Sequence, residues 1–206
     1  MTANTNEKVT TREKILEASL NLFSKNGFHA TTTKKIAQKA GVNEVSLFRL
    51  FKSKLGLFQE ILKLVKKTGF DPQKLSEITA PPQVAIRNVI DYMLEINDLH
   101  PREFKVLNRA AMDEVEGFEE WFVLTNLEQI QNFLVEKFKA LQESGEMEKG
   151  MPPKMLSYLL LTQITGINMS RIILKKHPLR ELDRTKLGDD IFNLFLGIHT
   201  TDNGSR

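Results

Sequence analysis

Between Thr31 and Phe51 the chain has few conformations open to it. The stretch Thr31-Thr32-Thr33-Lys34-Lys35-Ile36-Ala37-Gln38-Lys39-Ala40-Gly41-Val42-Asn43-Glu44-Val45-Ser46-Leu47-Phe48-Arg49-Leu50-Phe51 holds two short helix-forming runs on either side of one glycine. Thr31, Thr32 and Thr33 supply a hydroxyl cap for the first run, which extends to Ala40. Asn43 caps the second, Glu44 to Phe51. Two short helices that cross steeply need a small residue at the crossing, which Ala37 provides. They also need a residue free to take positive φ in the turn, which Gly41 provides. Ile36, Val42, Leu47 and Phe51 are then placed to pin the pair to a preceding helix. Two readings fit this pattern: an ordinary helical hairpin, or a helix-turn-helix that leads with the first residues of its second helix.

Helical periodicity runs through nearly all of the remaining chain, and strand signals are scarce. A first helix is expected from about Thr11 to Asn26, with Ile15, Ala18, Ser19, Leu22 and Phe23 on one face and Gly27 as its stop. Phe28 can fold back on that face. Ser53 caps a fourth helix carrying Leu57, Phe58, Ile61, Leu62 and Val65. From Asp71 to Pro82 the pattern breaks, and this stretch reads as a connection. Further helices are expected at about Pro82–Asn97, Pro101–Asp113, Gly117–Ser144, Pro153–Lys176 and Arg184–His199, the last striped by Leu187, Ile191, Leu194, Phe195 and Ile198. The fold is therefore expected to be all-α: a disordered arm over 1–10, a three-helix domain over 11–55 and a larger helical domain over 56–206.

Charge is placed unevenly along the 206 residues. Ten lysines and arginines stand against four acids through residue 55; the remainder carries nineteen against twenty-two. A basic head on a mildly acidic body suits a polyanionic partner for the head, although solvated helix faces are often basic too. Cysteine is absent, so neither a disulfide nor a thiolate site can form. Apolar runs such as Leu159-Leu160-Leu161 are too short to cross a bilayer. Residues 1–10 are polar and do not read as a signal peptide, which makes the cytoplasm the expected location. His29, His100, His177 and His199 are scattered, with no metal-ligand spacing, and there is neither a phosphate-cradling glycine loop nor a nucleophile elbow. The sequence reads as non-enzymatic, with no metal and no cofactor.

Thr11-Arg12-Glu13-Lys14-Ile15-Leu16-Glu17-Ala18, Leu22-Phe23, Gly27-Phe28, Ala30-Thr31-Thr32, Ile36-Ala37, Ala40-Gly41-Val42, Leu47-Phe48-Arg49, Phe51, Ser53-Lys54 and Leu57-Phe58 follow one another without a gap. As a set they resemble the amino-terminal DNA-binding domain of the TetR family of transcriptional regulators. The resemblance implies that Thr32, Thr33 and Lys34 meet DNA phosphate at the start of the second helix. It implies that Asn43, Glu44, Val45 and Ser46 head the recognition helix, and that Arg49 reaches a guanine or a phosphate. Lys54 matches a phosphate-binding lysine. Three positions depart from the pattern. Phe48 stands where tyrosine is usual and lacks the phosphate-binding hydroxyl. Leu50 replaces a residue that is often histidine. Glu44, where lysine or glutamine is common, is repelled by phosphate yet can accept from cytosine N4.

For the larger domain the resemblance implies a homodimer through the last two helices, paired as a four-helix bundle on double-stranded operator DNA. It also implies a repressor released by a small lipophilic or amphipathic effector. Met93, Phe104, Leu107, Trp121, Phe122, Phe133 and Tyr158 are candidates to line an apolar effector cavity, with Gln163 and Asn168 as its polar points; the same residues also suit a solid core. Gly166 in mid-helix suits a close helix contact.

Overall fold

Thr10 opens the first helix. Its hydroxyl accepts from the Glu13 N–H at 3.2 Å while the Glu13 carboxylate accepts from the Thr10 N–H at 2.7 Å, a reciprocal cap. That backbone N–H, with the Thr10 hydroxyl, holds the Glu13 carboxyl below its ordinary pKa. The computed structural model describes residues 9–68, 80–122, 127–174, 176, 178 and 181–196. Among them are ten helices and no strand. They are α1 (Thr11–Asn26), α2 (Thr33–Ala40), α3 (Glu44–Phe51), α4 (Lys54–Thr68), α5 (Pro82–Leu99), α6 (Pro101–Met112), α7 (Phe118–Phe122), α8 (Glu128–Ser144), α9 (Pro153–Ile173) and α10 (Arg184–Leu196). None of the described helices is long and apolar enough to cross a membrane.

The chain packs as two compact units. One gathers the described residues of Met1–Gly69 with Arg102–Glu119; the other gathers those of Phe70–Pro101 with Glu120–Arg206. In the first, α1 packs on α2 and α4, α2 on α3, and α3 on α4. Ile15, Phe23, Ile36, Leu47, Leu57, Phe58 and Ile61 are sealed from solvent there. Phe58 meets Phe23 and Phe28 edge-on, at 5.5 and 5.2 Å between ring centres, a preferred arrangement for paired rings. Gly56 lets α4 come this close: a β-carbon there would collide with the Phe51 carbonyl oxygen at the end of α3. In the second unit α8 packs on α9, and α5 packs on α8, α9 and α10. Leu94, Leu134, Phe138, Leu160 and Ile164 form the centre of its core. The Gln142 carboxamide closes the α8–α9 turn by donating to the Glu148 and Met151 carbonyls.

Helix boundaries in the first unit fall where the caps place them. Thr32 caps α2, Asn43 caps α3, and the Ser53 hydroxyl accepts from the Gly56 N–H. Thr31 serves differently, bonding back to the Gly27 carbonyl at 2.7 Å. The expected helix Gly117–Ser144 is represented by α7 and α8, and Leu124 lies outside the described residues. So do His177, Ile198, His199, most of the arm 1–10 and most of the connection 71–82. On α10 the expected stripe holds for Leu187 and Ile191, but Leu194 is exposed. It lies seven residues beyond Leu187, within about 20° of it around the helix, and two residues from the end of α10.

Gly56→Ala is expected to lower the unfolding free energy by about 1–3 kcal/mol, because the overpacked atom is backbone and cannot swing aside. Gly150→Ala, where a β-carbon meets open space, is expected to stay within about 0.5 kcal/mol of the parent. Denaturant unfolding of both variants checks this.

Candidate nucleic-acid interface

The turn between α2 and α3 is built as the sequence requires. Gly41 takes the left-handed conformation, with φ 66° and ψ 37°, which costs glycine nothing. The Val42 N–H then bonds the Ala37 carbonyl at 3.0 Å. Ile36 and Ala37 are buried from α2, Leu47 and Phe51 from α3. Burying these four fixes the opposite face of the pair toward solvent. That face carries Val45 (71% exposed), Phe48 (44%) and Leu50 (41%), with Arg49 exposed among them. Lys34, Lys35 and Lys39 are exposed on α2. The Asn43 carboxamide accepts from the Val45 N–H at 2.8 Å and so starts α3 sharply.

Two residues far along the chain hold the loop that leads into α2. The Asp113 carboxylate, just past the end of α6, accepts from the Phe28 N–H at 2.6 Å. Its carbonyl lies 2.7 Å from His29 Nε2. From the other side, Lys54 Nζ donates to the Phe28 carbonyl at 3.0 Å and the Thr31 carbonyl at 3.2 Å, and sits 4.2 Å from the centre of the Phe28 ring. Partial burial lowers the Lys54 pKa, and the Asp113 charge opposes that shift. Arg12 braces the far side, pairing with Glu60 and lying over the Phe51 ring.

Of the positions singled out in the sequence, Thr32, Thr33, Lys34, Asn43, Glu44, Val45, Ser46, Phe48 and Arg49 all fall on the α2–α3 pair. Two behave in ways the sequence did not signal. Lys54 commits two of its three N–H donors to the chain's own carbonyls. The Thr33 hydroxyl donates to the Glu44 carboxylate at 2.6 Å, tying the first turns of the two helices together. The expected cavity residues are divided. Phe104 and Leu107 belong to the first unit, whereas Met93, Trp121, Phe122, Phe133, Tyr158, Gln163 and Asn168 belong to the second. Tyr158 is an exposed residue of α9. Asp113 had no marker in the sequence, since an aspartate beyond a helix end is ordinary and its partner stands 85 residues away.

Residues 15–61 match the profile of bacterial regulatory proteins of the tetR family. The match spans the amino-terminal domain and its helix-turn-helix. Over 52 residues it is 50% identical to the uncharacterized HTH-type transcriptional regulator YvkB of Bacillus subtilis, a match covering 25% of this chain and 28% of YvkB. A longer match, 29% identical over 168 residues, joins it to the HTH-type transcriptional regulator UidR of Escherichia coli, covering 78% of this chain and 81% of UidR. The fold is shared with NalD of Pseudomonas aeruginosa, described as the secondary repressor of the MexAB-OprM multidrug efflux pump. The TM-score is 0.71 at 20% identity, over 94% of this chain and 97% of NalD. The chain joins an amino-terminal helix-turn-helix to a larger helical part.

Asp113→Ala is expected to cost about 1–3 kcal/mol, because it leaves the part-buried Phe28 N–H without an acceptor. The Phe28 amide should exchange its hydrogen faster in the variant. Glu116→Ala, at an exposed position, is expected to leave both unfolding and exchange as in the parent.

Proposed function

We propose that the chain is a transcriptional repressor that grips a palindromic operator as a homodimer and is released by a small lipophilic or amphipathic effector. The exposed face of α3 carries the reading: Val45, Phe48 and Arg49 stand out of the domain while Leu47 and Phe51 anchor it. Presented to a major groove, such a helix places an arginine against guanine or phosphate and apolar side chains against thymine methyls. Exposed Lys34, Lys35 and Lys39 supply the phosphate-seeking charge. One eight-residue helix reads few bases, so a second copy about one DNA turn (roughly 34–36 Å) away is the physical route to a usable affinity.

The dimer reading is supported on α9. Met155, Leu159, Thr162 and Gly166 are all exposed, spaced four, three and four residues apart. Helix seams have this spacing, and the small residues permit close approach. Leu194 of α10 is a further exposed apolar side chain in the same unit. For the effector, support comes from the interior of the second unit. Asn168 is 1% exposed and donates to the Met93 carbonyl at 3.1 Å, yet its Oδ1 has no partner. One helical turn on, Arg171 pairs with Asp98 at 3.2 Å through one terminal nitrogen and leaves the other buried and unpaired. Buried polar atoms without partners are costly, and a ligand's polar end would satisfy them. Its binding would favour a dimer geometry that no longer fits consecutive grooves.

Selection of duplexes from a random library by the purified chain tests the reading. A palindrome with half-sites about one helical turn apart is expected, bound with an affinity that falls steeply with salt. On that duplex Arg49→Ala should cost about 1–3 kcal/mol while binding random duplex nearly as well as the parent. Absence of any enriched sequence would show that the α2–α3 pair is a scaffold for another purpose.

A further inference from the structure

Glu44 is the acid in the first turn of an otherwise cation-flanked recognition helix. A carboxylate there repels phosphate, so its side chain is tolerable only if directed at something other than the DNA backbone. The bond from the Thr33 hydroxyl gives it a direction. At 2.6 Å, Thr33 Oγ1 donates to Glu44 Oε1 across the α2–α3 junction. A hydroxyl has one hydrogen to give. While this bond stands, the Thr33 hydroxyl has no hydrogen for a phosphate oxygen, and Glu44 Oε1 is anchored to α2. Oε2 accepts no hydrogen bond from any described residue. The next side chain, Val45, is the most exposed of the described large apolar residues, at 71%.

An ionised carboxylate only accepts hydrogen bonds. In the major groove, guanine presents O6 and N7 and thymine presents O4, all acceptors that repel it. Adenine offers its N6 amino group, but N7 lies beside it and opposes a second oxygen. Cytosine presents the N4 amino group as its whole polar edge. We propose that Glu44, held in place by Thr33, reads the N4 amino group of one cytosine in each operator half-site, with Val45 against the methyl group of a neighbouring thymine. This rests on the operator-reading function proposed above and names the bases it selects. Thr33 is then a positioning residue that acts through Glu44.

The test is parallel duplex selection by the wild-type chain, Glu44→Gln and Thr33→Val, each shown by circular dichroism to be folded. The wild type is expected to return a motif with cytosine fixed at one position per half-site. Glu44→Gln should move that position toward adenine, whose N6 and N7 a carboxamide pairs with bidentately. Thr33→Val should broaden it, since the carboxylate loses its anchor. On the wild-type duplex, exchange of that cytosine should cost the wild type about tenfold in affinity and Glu44→Gln much less. Replacing the neighbouring thymine by uracil, which removes only the methyl group, should weaken the wild type several-fold. If the wild type returns a motif and Glu44→Gln returns the same one, the assignment of Glu44 is overturned while operator reading stands. If Thr33→Val leaves the base preference unchanged, the positioning role of Thr33 is overturned. If the wild type returns no motif, operator reading itself fails.

Discussion

Eight residues are too few to hold a helix in water, and both α2 and α3 are eight residues long. Their conformation is imposed by burial. Ile36 and Leu47 are sealed from solvent against the neighbouring helices of the first unit, with Ala37 and Phe51 nearly so. At about 1.5–3 kcal/mol for each large apolar side chain removed from water, this burial stabilises a conformation that the isolated segments do not hold. Burial also sets orientation. With Leu47 and Phe51 inward, helical geometry leaves Val45, Phe48 and Arg49 outward. The surface proposed to read DNA is thus the complement of the core.

Polar contacts then set the loop that enters α2. Asp113 bonds the Phe28 N–H, and Lys54 bonds the Phe28 and Thr31 carbonyls from the opposite side. Aromatic packing of Phe28 on Phe23 and Phe58 lies beneath. Arg102–Glu119 is a segment that follows α5, yet it packs with the amino-terminal residues. The chain therefore leaves the first unit, forms part of the second, and returns to clasp the loop in front of the helix-turn-helix.

Much of the first unit was legible in the sequence because its signals are local. Thr32, Asn43 and Ser53 cap helices within three residues of themselves, and Gly41 answers to its own φ. The spacing of Ile36, Leu47 and Phe51 marks the inward face without knowledge of the partner helix. Long-range polar contacts left no such trace. Asp113 is separated from Phe28 by 85 residues. Lys54 read as a phosphate-binding lysine, since nothing local shows that its ammonium group donates to two of the chain's own carbonyls. Thr33 and Glu44 were each singled out as candidates, but their bond depends on how α2 and α3 meet. Aromatic candidates for a cavity were the least legible, because an aromatic at helical spacing suits a core, a cavity wall or an exposed seam alike. Phe104 and Tyr158 were grouped by chemistry, and the fold puts them in different units.

The most direct test of the account is a methyl-resolved NMR titration of the chain with its selected duplex. The account predicts that the Val45 methyl resonances shift strongly and gain contacts to DNA protons, while those of Leu47, two residues along the same helix and fully buried, move little. Tight, sequence-specific binding that leaves the Val45 methyl groups undisturbed would contradict it, because the outward face of α3 would then not be the surface that reads DNA.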